Sequence, residues 1–185
     1  MKIDFIKKLS NCRVEGTQLP FFPEMVEGYT EQEIDLIARN CNLDIHGQFR
    51  EFLLQMGKCS GGLIWGWDFP MYNPYWNPLD FQLFQQNEQK DENYTIDIDV
   101  VNPIEKKMFY LHSENELSSF YYLLTDNDDD SVWAYDDGSN ILKNTNLSLL
   151  EQLIHYVKYK NKASRFIDLN LTNEQISKYT KSRLL

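Results

Sequence analysis

Residues 119–136 read SFYYLLTDNDDDSVWAYD, and this stretch constrains the fold more than any other. Two runs of aromatic and aliphatic residues flank five consecutive Asp or Asn positions. Such runs favour a pleated, half-buried strand. Aspartate and asparagine suit the tight backbone of a short turn. Two strands joined by so few residues pair antiparallel. Trp133 and Tyr135 alternate with Val132 and Ala134, so one face of the second strand carries two large aromatics.

The rest of the chain supplies helices around further strands. In DFIKKLSNC, Phe5, Ile6, Leu9 and Cys12 share one face, which predicts a helix over 3–12. In YTEQEIDLIARNC, Thr30 and Glu33 form a T-x-x-E capping box. Ile34, Ile37, Ala38 and Cys41 then mark the apolar stripe. A second helix in HGQFREFLLQMG places Phe49, Phe52, Leu53 and Met56 on one side, with Gly57 where a left-handed cap is wanted. Leu63–Trp67 is expected as a strand, and Pro70, Pro74 and Pro78 turn the following aromatic stretch into an extended loop. NEQKDEN is a solvated turn. Thr95–Val101 alternates as a half-buried strand, and KMFYLH is another. The C-terminal part, 146–184, is read as helical, with Thr172 and Gln175 as a second capping box. Helices, then strands, then helices predict a single α+β domain over residues 1–185. The expected sheet is mostly antiparallel, with helices packed on one face and an extra helix at the C-terminal end.

The chain has 185 residues, of which 42% are apolar, enough to bury a sizeable core. No apolar run reaches the length of a membrane span. The N-terminal residues interleave lysine with apolar side chains and lack the apolar core of a secretory signal. Cys12, Cys41 and Cys59 are odd in number and without C-x-x-C spacing. These features lead to the expectation of a cytoplasmic protein with reduced thiols.

Charge is unevenly spread. Residues 87–139 hold 3 basic and 14 acidic side chains, whereas residues 140–185 hold 8 and 3. An acidic middle segment repels nucleic acid. It steers a basic protein partner towards itself.

Catalytic and metal chemistry finds little support. Asp126, Asp128 and Asp130 match the first positions of an EF-hand loop, but Ser131 stands where glycine is needed and Asp137 where glutamate is. Carboxylates crowded on one exposed turn do not make a separated acid–base pair for glycoside hydrolysis. His46, His112 and His155 lack metal-ligand spacing and read as surface or capping residues. No phosphate-binding loop or nucleophile elbow occurs. The expectation is therefore no catalytic residue, no metal and no cofactor. What remains is a binding surface: Asp126, Asp128, Asp129, Asp130 and Asp136 beside Trp133 and Tyr135, with the loop aromatics Trp67 and Tyr75. An alternative is a carbohydrate- or ligand-binding module, or a signalling scaffold, that uses the aromatic loop 65–76.

Three stretches carry a resemblance to a known family. YTEQEIDLIARNCNLDIHGQFREFLLQMGKCSGG has Phe49, Phe52, Leu53, Gly57, Gly61 and Gly62 in the places of a capped helix followed by x-F-x-x-F-L-x-x-x-G. FYYLLTDNDDDSVWAYDDG matches a strand, an Asp-rich turn and a V-W/Y-x-Y/F-D strand, and SLLEQLIHYV matches a late helix. Over roughly residues 28–157 the chain resembles the SUKH superfamily of Smi/Knr-like domains. Where that family has Leu-Pro before the second helix, this chain has LDIHGQF. The resemblance implies an α+β domain without catalysis, similar to immunity proteins that bind and block a cognate toxin, often a nuclease. The expected partner is then a basic protein toxin, with no nucleic acid or membrane bound.

Overall fold

A computed structural model of the chain describes residues 2–14, 20–65, 69–74, 107–114, 119–136, 141–160 and 172–185. Thr30 starts α2 (Glu31–Asn40): its side chain accepts from the Glu33 amide and the Glu33 carboxylate accepts from the Thr30 amide. Before it, α1 (Phe5–Ser10) is capped by Asp4 and buries Phe5 and Leu9. After it, α3 (Gly47–Met56) buries Phe49, Phe52, Leu53 and Met56, the stripe expected from the spacing. The α1 end of the chain is tied to α3 by side chains: Glu51 accepts from the Ile3 amide and Gln55 from the Phe5 amide.

The two apolar runs around the acidic turn are strands. They are β2 (Ser119–Leu124) and β3 (Ser131–Asp136), flanked by β1 (Met108–Glu114) and β4 (Ile141–Ser148). The four form one antiparallel sheet in the order β1-β2-β3-β4. With α4 (Leu149–His155) and α5 (Asn173–Thr180) the described residues contain five α-helices, and the fold is α+β. Phe109, Leu111, Leu123 and Val132 face the helices and join the main core. Met108, Tyr110, Phe120, Tyr122, Leu124, Tyr135 and Leu142 form a second buried cluster on the opposite face.

Two irregularities shape this sheet. The β1–β2 register shifts between Tyr110 and His112, leaving Leu111 without a partner. The extra residue turns two consecutive side chains, Leu111 and His112, towards the helices. In β4, three residues (145–147) oppose the single Val132, and Asn146 takes φ +58. Asparagine tolerates that left-handed conformation better than most residues.

Several expectations are corrected. Residues 61–64 form turns and bends, so Leu63–Trp65 is not a strand; consecutive glycines at φ +60 and +99 set the bend. Gly57 is right-handed at φ −60; a side chain there would meet Leu53 O at 2.5 Å and the Tyr29 ring at 2.6 Å. Its value is close approach. The segment 146–148 is strand, because Ser148 and Glu151 form a capping box that delays the helix to Leu149. The Thr172–Gln175 box starts α5 as expected. The expected strand 95–101 and the turn 87–93 lie outside the described residues.

A candidate acidic interaction surface

The turn between β2 and β3 is anchored at both ends. Thr125 is buried. Its hydroxyl donates to the Lys107 carbonyl (2.9 Å) and accepts from the Asp44 amide (3.2 Å). His46 Nε2 donates to the Thr125 carbonyl (3.1 Å), and Lys107 pairs with Asp44 at 2.8 Å. At the other end, Asp130 Oδ1 accepts from the Gln48 amide at 2.6 Å. The Asp130 carbonyl accepts from the Leu149 amide at 2.9 Å, and Gln48 Oε1 accepts from the Leu150 amide at 2.9 Å. One aspartate thus joins the turn to the first turns of α3 and α4. A carboxylate at a helix start also meets the positive end of the helix dipole.

Asp130 does for α3 what a local cap does elsewhere. His46 stands at the cap position, but its side chain makes no cap bond. Gly47 follows at φ +51, and a Cβ there would collide with the Asp130 carboxylate. The sequence held a signal for this: a helix opening on His-Gly has no local acceptor for its first amides, so one must come from elsewhere. Asp44, His46, Gly47 and Gln48 are the anchoring residues that sequence reasoning did not single out.

The candidate surface residues fall into three groups. Asp126, Asp128 and Asp129 are exposed. Asp129 Oδ1 accepts from the Ser131 amide (2.9 Å), which tightens the turn. Among the described residues no ion pair involves Asp128 or Asp129, whereas Glu31 and Asp35 pair with Arg50, and Glu27 and Glu33 pair with Lys58. Asp130 and Tyr135 form the second group. The Asp130 carboxylate is occupied by α3, and Tyr135 is 5% exposed in the second cluster, so neither offers a contact surface. Trp133 is half-buried against that cluster, with no acceptor for its indole N–H among the described residues. Third, Trp67 and Tyr75 and the side chain of Asp136 lie outside the described residues. Of the remaining aromatic loop, Trp65 (4% exposed) and Tyr72 (0%) are core residues.

One histidine departs from expectation. His112 is fully buried, not a surface residue. Its ring stacks on Tyr121 (4.4 Å between centroids) and Phe69 (6.0 Å), and it meets Tyr156 at 4.9 Å. Its Nε2 lies 2.8 Å from the side-chain Nε2 of Gln152. The β1 bulge and the π-turn at Tyr156–Lys160 both converge on it. His46 and His155 are half-buried. Among the described residues no group of three or more His, Cys, Asp or Glu is arranged to hold a metal ion. Burial pushes the Cys41 thiol up to about 11. No helix among the described residues is long and apolar enough to cross a membrane. Comparison with protein-family models, curated proteins and solved structures found no match to this chain.

Proposed function

We propose that this chain is a non-enzymatic binding protein of the immunity type, which neutralises a cognate basic toxin domain by covering its active surface. The resemblance to the SUKH superfamily suggests the class. One observation supports it most: exposed Asp126, Asp128 and Asp129 sit on a turn fixed at both ends, and no cation pairs with Asp128 or Asp129 among the described residues. A turn held in place loses little freedom on association. Its uncompensated charge draws in a basic partner. A nuclease toxin, built to hold phosphates, has such a surface. The half-buried Trp133, on the strand that follows the turn, is an aromatic of the kind that anchors such contacts.

The test is capture from the native cell with tagged protein at low and moderate salt, read by mass spectrometry. The expected result is one basic, stoichiometric partner that is lost as salt rises. A double reversal, Asp128→Lys with Asp129→Lys, is expected to lose it at low salt too. If capture were unaffected by both salt and reversal, the acidic turn would not be the contact. Asp130 is left intact because its change would disturb α3.

A further inference from the structure

The chain leaves the last residue of α5, Thr180, and runs on over 181–185 against the segment Lys58–Ser60 through an isolated β-bridge. Cys59 bridges Glu27 on one side and Lys181 on the other, both antiparallel. The Ser60 amide donates to the Thr180 carbonyl (3.0 Å), and the Ser182 amide donates to the Lys58 carbonyl (2.8 Å). Beyond the helix end, burial alternates from residue to residue. Thr180 (0% exposed) and Leu184 (3%) point in, with Ser182 half-buried between them, while Lys181, Arg183 and Leu185 are exposed. Each inward residue has its own slot. Thr180 Oγ1 lies 3.5 Å from Cys59 Sγ, Ser182 Oγ accepts from the Tyr29 hydroxyl at 2.9 Å, and Leu184 enters the main core.

Main-chain bonds along an edge combined with pockets for alternate side chains are how folded domains take up extended peptides. We propose that the edge Lys58–Ser60, with the Tyr29 and Leu184 slots, is a peptide-binding groove for a segment in which a helix-terminal Thr leads into an extended x-Ser-x-Leu, filled in cis by the chain's own residues 180–184. The groove binds the same segment when it is presented in trans, at the rate at which the cis segment opens. The cis occupant lowers the apparent affinity by holding most molecules closed. This is independent of the acidic turn, which none of these contacts involves.

The experiment uses the full chain and a fluorescein-labelled peptide of residues 178–185, followed by anisotropy. In Leu184→Ala the cis segment loses its apolar anchor, and the peptide is expected to bind at least about tenfold more tightly than to the unaltered chain. A peptide carrying the same Leu184→Ala change is expected not to compete. Absence of binding by folded Leu184→Ala protein overturns the proposal. Should that variant not fold, amide exchange in the unaltered chain decides. The Ser60 and Ser182 amides are expected to exchange ahead of the α3 amides, and exchange only together with α3 would show a segment that never opens, which also overturns it.

Discussion

Asp130 ties three elements together with one carboxylate and one carbonyl, and its neighbours in the turn do nothing comparable. Adjacent aspartates therefore differ in consequence. Asp130→Ala is expected to cost about 1–2 kcal/mol, the loss of a helix cap. Asp128→Ala is expected to stay within about 0.5 kcal/mol, as an exposed change does. Denaturant unfolding separates the two. Gly47→Ala is expected to cost about 2 kcal/mol or more, from left-handed φ and the collision with Asp130. Glu33 offers a pH test. The Thr30 amide and then Lys58 hold its carboxyl below the usual glutamate range. Its folded pKa is thus depressed, so its contribution is complete above the ordinary value of about 4.3 and is lost as pH falls through the folded value. Glu33→Gln is expected to melt lower than the unaltered chain at pH 7. The gap is expected to close in acid, and a gap of constant size would show that the carboxylate charge is not what matters. The spacing of Thr30 and Glu33 made this cap legible, because both partners lie within one turn. Asp130 and Gln48 are 82 residues apart. Nothing local marks such a pair beyond a helix start that lacks an acceptor.

At the scale of elements, the amphipathic helices followed their periodicity and the apolar runs around the acidic turn became strands, and the departures have physical causes. A β-bulge inverts the alternation it interrupts. After Leu111 the helix-facing parity of β1 changes, which is why His112 joins the helix side of the sheet with Phe69, Tyr121 and Tyr156 instead of the second cluster of Met108 and Tyr110. In β4, the sequence ILKNTNLS has too few apolar residues to announce a strand. Its register is held by the cross-strand ladder and by side chains that satisfy its own backbone, Asn144 for the Asn146 amide and Thr145 for the Leu147 amide. Ser148 then serves both as the last residue of β4 and as the cap of α4. The left-handed Asn146 makes this double-residue bulge testable. Asn146→Gly is expected to keep the melting temperature. Asn146→Val is expected to lose about 1–2 kcal/mol, since a β-branched residue resists positive φ. Equal stability of the two would mean that the bulge relaxes when substituted.

For the whole molecule, the uneven charge along the chain matters more than its total of −10. Salt bridges offset much of the acidity near the helices: Arg50 holds Glu31 and Asp35, Lys58 holds Glu27 and Glu33, and Lys107 holds Asp44. At the β2–β3 turn Asp128 and Asp129 have no such partner among the described residues. The field there reaches about a Debye length, roughly 10 Å at 0.1 M salt. It acts on an approaching partner before contact, so its effect belongs in the association rate. Reversing Asp128 and Asp129 to lysine changes four charge units at the turn while leaving the Asp130 anchor in place. With the captured partner, association is expected to slow by about tenfold or more at low salt. The steep fall of the unaltered chain's rate with added salt is expected to flatten in the variant. Dissociation is expected to change little, because exposed charges contribute less to the closed complex than to the encounter. Stopped-flow measurement from low to moderate salt reads all three. Association and dissociation both unchanged by the reversal at every salt concentration would place the turn outside the steering surface and the partner's contact on another face of the molecule.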